Sequence, residues 1–264
     1  GPTILAGSGP VPVVWEVPFE VDPRHLDSYG RCGLRFFYTY LLGLGGRRGE
    51  TPYMLMHNAV QETIRWLDRN FDAAVGAPDG FDEAFEAAWI RYGPVEHGHA
   101  DAYRAIAGRM LRFLIELRSE PGRMPPADIR LEAGGGHVVL RPHDVVRDPD
   151  GTLIVRRVST GRALKSIETE IEYAILHAAA EEAYSDNVIV EAVHLSSETR
   201  QHVPMPAAKR AQRLATIAGH MTNIRSGIFP PNPGRACLRC PHLHACPGLP
   251  DGDTVVRRVL VRGP

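Results

Sequence analysis

The sequence predicts a mixed α/β fold, and three observations carry that prediction. Several long stretches repeat apolar residues at helical spacing. Three shorter runs rich in valine, isoleucine and leucine read as strands, and the first two are joined by "DPDG", a hairpin turn signal. A helical stretch separates the second strand from the third, so an antiparallel hairpin and a helical crossover feed one sheet.

In chain order, residues 1–20 read as an extended arm containing "PVPVVWEVPFE". In "DPRHLDSYGRCGLRFFYTYLLGL", Asp22 or Asp27 is placed to cap a short helix, and Leu34, Phe37, Leu41 and Leu42 fall at helical spacing. "GGRRGETP" is a loop. "YMLMHNAVQETIRWL" reads as a strong helix with Met56, Val60, Ile64 and Leu67 on one face, and with His57 and Gln61 as i,i+4 neighbours on another. "FDEAFEAAWIRYG" and a histidine-containing loop follow. "DAYRAIAGRMLRFLIELRSE" is a further helix, with Tyr103, Ile106, Met110, Phe113, Leu114 and Leu117 apolar, and "PGRMPP" ends it.

The three strands are then "GHVVLRPHDVV", "GTLIVRRVS" and "NVIVEAVHLSS", with the helix "IETEIEYAILHAAAEEAYS" between the last two. A final helix spans about 206–226 through Leu214, Ile217, Met221 and Ile224. "FPPNPGRA" leads from it into "CLRCPHLHACPG". The expected organisation is an arm over 1–20 and a single domain over 21–264. Within that domain, 21–125 is helical, 126–205 is the sheet core, 206–248 holds the last helix and a cysteine array, and 249–264 is a tail. No internal repeat or low-complexity tract is present.

Composition narrows the class. The chain has 264 residues, 44% hydrophobic and 23% charged, which suits a globular protein with a substantial core. No run of about 18 apolar residues exists, so no membrane span is expected. The opening "GPTILAGSGP" lacks the pattern of a signal peptide, and a cytoplasmic location is expected. Its Gly-Pro is consistent with a protease-cleavage scar, so Gly1 need not be the natural start. Net charge is −1, which excludes a global electrostatic pull toward nucleic acid and leaves only local patches.

The cysteines carry the most specific signal. Of four, Cys237, Cys240 and Cys246 form a C-x2-C-x5-C array and Cys32 stands alone near the start. A tetrahedral all-thiolate site needs four ligands, and Cys32 is the remaining candidate. Four thiolates suit zinc or iron–sulfur equally on ligand chemistry.

The order of these landmarks resembles the RecB/AddB branch of the PD-(D/E)XK nucleases and the related CRISPR-associated exonucleases. "LDSYGRCGLRFFYTYLLGL" resembles the family's opening, and "MHNAVQETI" its G-x-x-x-H helix. "LRPHDVVRDPDGTLIVRRVSTGR" resembles the catalytic hairpin, and "SGIFPPNPGRACLRCPHLHACPG" the cluster-binding tail. The resemblance spans nearly the whole chain. It implies a restriction-endonuclease-like mixed sheet flanked by helices, with a helical N-terminal part. It also implies a [4Fe–4S] cluster on Cys32, Cys237, Cys240 and Cys246, with zinc as the alternative. Such a group would clip the tail to an N-terminal helix, and protein lacking it should be unstable.

Against that pattern the catalytic hairpin departs. Active members hold a divalent metal with carboxylates and a histidine, and place a lysine near the attacking water. With "TG" at Thr160 and Gly161 fixing the register, Arg157 stands at the metal-binding acid and Ser159 at the lysine. An arginine there opposes metal binding by Coulomb repulsion, so catalytic magnesium or manganese is not expected. His143 takes the aspartate position in an ungapped match, and Asp144 takes it after a one-residue slip. His57 matches the helix histidine. If Tyr173 matches the tyrosine of the Q-x-x-x-Y motif, Thr169 replaces its glutamine.

The resemblance therefore implies a nuclease-like module that has lost its chemistry. It would bind single-stranded DNA or serve beside a helicase or another DNA-processing protein. Candidate phosphate contacts are Arg141, Arg156, Arg157 and Arg162, with Arg47 and Arg48 in the loop before the histidine helix, and Tyr53 as a base-stacking aromatic. Two alternatives remain. One is an active metal-dependent single-strand exonuclease, with Lys165 or Arg162 replacing the lysine and Glu170 or Glu172 supplying an acid. The other is a protein-assembly scaffold unrelated to DNA.

Overall fold

A computed structural model describes residues 10–44, 50–71, 78–161, 163, 167, 170–184, 187–243 and 246. In chain order its elements are β1 (Glu20–Val21), α1 (Pro23–Arg31), α2 (Gly33–Phe36), α3 (Pro52–Asn70), α4 (Phe81–Tyr92), α5 (Ala100–Arg118), β2 (Arg123–Met124), β3 (Ile129–Ala133), β4 (Gly136–Leu140), β5 (Asp144–Arg147), β6 (Leu153–Ser159), α6 (Ile171–Tyr184), β7 (Val188–His194), β8 (Thr199–His202) and α7 (Ala207–Arg225). The fold is a mixed α/β one, with sheets flanked by helices. The chain packs as two compact units, each discontinuous in sequence. One comprises Gly1–Arg48, Glu132–Val139 and Ala208–Pro264, the other Gly49–Leu131 and Leu140–Ala207.

In the first unit, Asp22 is the helix cap. Its carboxylate accepts the Arg24 N–H at 2.7 Å, and Pro23 follows at the first helical position. Asp27 lies inside α1 and pairs instead with Arg31, 2.9 Å away. Cys32 breaks the helix in extended conformation, and α2 restarts at Gly33 and runs into a π-type turn over Phe37–Leu41. β1 lies parallel to β4, with Glu20 opposite His137, in a sheet of order β1-β4-β3. α7 buries Ile217, Met221 and Ile224. Just beyond it, Gly227 has φ +71°, and a Cβ there would stand 1.9 Å from the Val11 carbonyl oxygen. Only glycine lets the arm come that close, and the Val11 N–H donates to the Gly227 carbonyl at 2.9 Å.

The second unit carries a five-stranded sheet of order β2-β5-β6-β7-β8. β5 and β6 form the expected antiparallel hairpin. Its "DPDG" turn closes through Gly151 N–H to Asp148 O at 2.9 Å, with Gly151 at φ +90°. β6 and β7 run parallel, joined through α6, and β8 returns antiparallel. The helical periodicities are realised: Met56, Val60, Ile64 and Leu67 of α3 and Met110, Leu114 and Leu117 of α5 are buried with Val158 and Val193 of the sheet and Leu195 just beyond β7.

The expected strand "GHVVLRPHDVV" is in fact two. β4 ends at Leu140, β5 starts at Asp144, and they belong to different sheets. Pro142 between them has no N–H to give to a ladder, which ends the pairing there. β8 was not anticipated, because its residues, Thr199–His202, are all exposed and show no apolar alternation.

Candidate functional site

The two consecutive arginines of the β5–β6 hairpin, Arg156 and Arg157, point to opposite faces of β6, as the period of two requires. On one face, Arg157 holds Glu172 of α6 at 2.5 Å through Nε. Its Nη1 lies 2.8 and 2.7 Å from Nδ1 and Nε2 of His143, so the guanidinium sits against the imidazole. The Val158 N–H also donates to His143 Nδ1 at 3.3 Å. Two residues along the same face, Ser159 Oγ meets His194 Nδ1 at 3.1 Å. Ser159 and His194 lie opposite one another at the carboxyl ends of two parallel strands, where open α/β sheets place their sites. His143, not Asp144, therefore faces Arg157.

Asp144 lies fully buried on the other face, in an ion network whose rim reaches solvent. It receives Arg123 Nε at 2.6 Å and Arg156 Nη1 at 3.0 Å. Arg156 also gives Nε to Glu191 at 2.7 Å and Nη2 to Glu120 at 2.5 Å, so one guanidinium serves three carboxylates. Arg200 bridges Glu120 and Glu191 from outside, at 2.6 and 3.2 Å. Burial pulls the Arg156 pKa down, and the bonds and charges of Glu120 and Glu191 more than offset this, leaving it above the ordinary arginine value.

The candidate phosphate contacts separate accordingly. Arg156 is corrected: it has no exposed surface and all its donors face carboxylates, so it has no free face for a phosphate. Arg157 is tied to Glu172 and His143. Arg141 is exposed, bonded to the Pro126 carbonyl at 3.0 Å. Arg47, Arg48, Arg162, Lys165 and Thr169 lie outside the described residues. Tyr53 is exposed and packs edge-on against His57, with centroids 4.2 Å apart.

His57 and His194 carry buried ring nitrogens without partners among the described residues: both on His57, and Nε2 on His194. Burial lowers the pKa of each. The neutral forms are therefore favoured in the folded chain. Below the ordinary histidine range, near pH 6.5, the unfolded chain takes up protons that the folded one refuses, so stability falls with pH. The unfolding temperature is expected to drop by several degrees between pH 7 and 5, and His194→Gln should flatten that slope. Tyr173 is buried too, and burial, with Glu172 second, raises its hydroxyl pKa. The sequence did not single out His194, since a lone histidine at a strand end is an ordinary residue.

In the first unit, Cys32, Cys237, Cys240 and Cys246 form no disulfide, are partly exposed, and line one pocket with no carboxylate among its described walls. The Asn232 N–H donates to Cys32 Sγ at 3.4 Å and the Gly234 N–H to Cys237 Sγ at 3.3 Å. Among the described residues, no group of three or more His, Cys, Asp or Glu side chains is arranged to hold a metal ion. The donor set itself, four soft ligands gathered at one pocket with backbone N–H groups aimed at two of them, fits a thiolate-held metal group. No helix among the described residues is long and apolar enough to cross a membrane.

Comparison with known proteins gives one family. The model of the PD-(D/E)XK nuclease superfamily matches residues 21–247. A crystal structure of a candidate exonuclease from Eubacterium rectale is similar with TM-score 0.51 and 12% identity, over 92% of this chain and 93% of that one. The structure of a protein named SSO0001 is similar with TM-score 0.44 and 14% identity, over 89% and 88%. A comparison with curated proteins finds no match.

Proposed function

The chain belongs to the PD-(D/E)XK nuclease superfamily, and on that premise we propose that it is a nuclease-fold protein that no longer cuts. It binds single-stranded DNA as a module of a DNA-processing assembly, beside a helicase or a similar partner. Arg157 is the observation that carries this reading. By the sequence resemblance it takes the place of the family's metal-binding acid, and its guanidinium lies against His143 and 2.5 Å from Glu172. A divalent ion entering there would meet a fixed cation already neutralising the nearest carboxylate. Ser159, at the lysine position, offers no charge to the attacking water. DNA as the ligand class rests on the family membership.

Cys32, Cys237, Cys240 and Cys246 would hold a [4Fe–4S] cluster, with zinc as the alternative occupant. When bound, that group supplies a covalent-strength link between the tail and the α1–α2 break. The protein's own contribution is the pocket and the two N–H donors on sulfur.

The test is degradation of end-labelled single-stranded DNA by anaerobically purified protein with magnesium and manganese, followed in parallel with binding. Binding that weakens steeply with salt, without cutting, is the expected result. Cutting that His57→Ala abolishes would overturn the inactive reading in favour of an exonuclease with relocated ligands. Neither binding nor cutting at low salt would overturn the DNA role and leave protein assembly.

A further inference from the structure

We propose that Asn232 is a positioning residue that fixes Cys32 against the three-cysteine tail before any metal group arrives. The inference rests on the four-thiolate reading of these cysteines. It starts from the break between α1 and α2. A helix end leaves backbone groups without intrahelical partners, carbonyls at the C-terminus and N–H groups at the N-terminus. Here one helix ends and another begins within two residues, with Cys32 alone between them. Both kinds of orphan therefore lie beside the same thiol.

The segment "PPNP", residues 230–233, answers both. Asn232 Nδ2 donates to the carbonyl of Arg31, the last residue of α1, at 3.1 Å. The Pro230 carbonyl accepts the Leu34 N–H, in the first turn of α2, at 3.3 Å. Between these two, the Asn232 backbone N–H donates to Cys32 Sγ at 3.4 Å. One asparagine thus holds the helix end with its side chain and the thiol with its main chain. The three prolines around it restrict the backbone, so little freedom is lost when it docks.

Close approach is built into the other side. A Cβ at Gly33 would stand 2.9 Å from Pro230 Cδ and 3.0 Å from the Phe229 carbonyl carbon, so a larger residue there would push the tail off. Further contacts seat the tail on the same helices. Phe229 stacks on Phe36 and Phe37, with centroids 5.9 and 5.1 Å apart. Tyr29 Oη donates to the Ile228 carbonyl at 2.8 Å. Buried His242 meets Thr39 Oγ1 at 3.0 Å. All of these contacts are between protein groups, and Cys32 lines one pocket with the array.

Cobalt(II) reports on this directly, because its thiolate charge-transfer and tetrahedral ligand-field bands appear only on ligation. Metal-free, reduced full-length chain is titrated as wild type, Asn232→Ala and Asn232→Asp. The aspartate keeps the size and loses the donor to Arg31. Both variants should bind cobalt at least about tenfold more weakly, the usual cost of losing a residue that orients a ligand, with far-UV circular dichroism unchanged. Wild type giving no thiolate–cobalt band would overturn the four-thiolate reading itself. Equal affinity in all three proteins would overturn only the role of Asn232. A second measurement needs no variant affinity. Iodoacetamide should label Cys32 several-fold more slowly in metal-free wild type than in unfolded chain, and equal rates would overturn the pre-docked tail.

Discussion

Replacing Arg156 by methionine will destabilise the protein by about 3–5 kcal/mol, the usual cost of removing one partner from a buried ion cluster. The side chain has no exposed surface, and methionine fills most of its volume, so the loss will not come from a cavity. It will come from Asp144 and Glu191, both buried, and Glu120, left facing one another without the guanidinium that joins them. Arg123 and Arg200 each still reach part of the cluster, which limits the loss. Arg156→Lys should fall in between, because an ammonium keeps the charge but cannot present a planar fork to three carboxylates at once. Pairing Arg156→Met with Asp144→Asn should recover part of the stability, a coupling that a double-mutant cycle by denaturant unfolding will read. A methionine variant within about 0.5 kcal/mol of wild type, the range of ordinary surface changes, would show that the cluster does not hold the sheet.

That cluster also marks where the sequence stopped being legible. Helices α3, α5 and α7 were readable because each repeats apolar residues at the helical period, and the β5–β6 hairpin because its turn residues have few other uses. The one-plus-three cysteines were readable as a set because metal chemistry asks for four. Arg156 and Arg157 were treated alike, as cleft arginines. Alternation along a strand already says that they face opposite ways; what it does not say is which face is the cleft. That depends on Glu172 on one side and on Glu120 and Glu191 on the other, residues from segments far apart in the chain. The same is true of His143 and Asp144, which the packing of β5 against β6 puts beside Arg157 and Arg156 on opposite faces. Pro142 was a visible breaker inside a run read as one strand, and its missing N–H deserved more weight than the valines around it.

Cys32→Ser will lower the unfolding temperature by roughly 10–15 °C, if the four cysteines hold one metal group. A link between Cys32 and the tail closes a loop of about 200 residues, and closing so long a loop removes unfolded-state entropy worth about 5 kcal/mol in the chain model. In a domain of this size, each kcal/mol corresponds to about 2–4 °C. The same loss is expected from Cys237→Ser and from Cys240→Ser, because each removes one ligand of a single site. The decisive comparison is the pair: Cys32→Ser combined with Cys237→Ser should cost no more than either alone, since the link is already broken. Two additive losses would mean that the cysteines act separately, as small half-buried side chains, and would remove the metal from the account. If the link is the group's whole contribution, zinc-loaded and iron–sulfur-loaded protein will unfold at similar temperatures. A large gap between them would assign the cluster a role that loop closure does not supply.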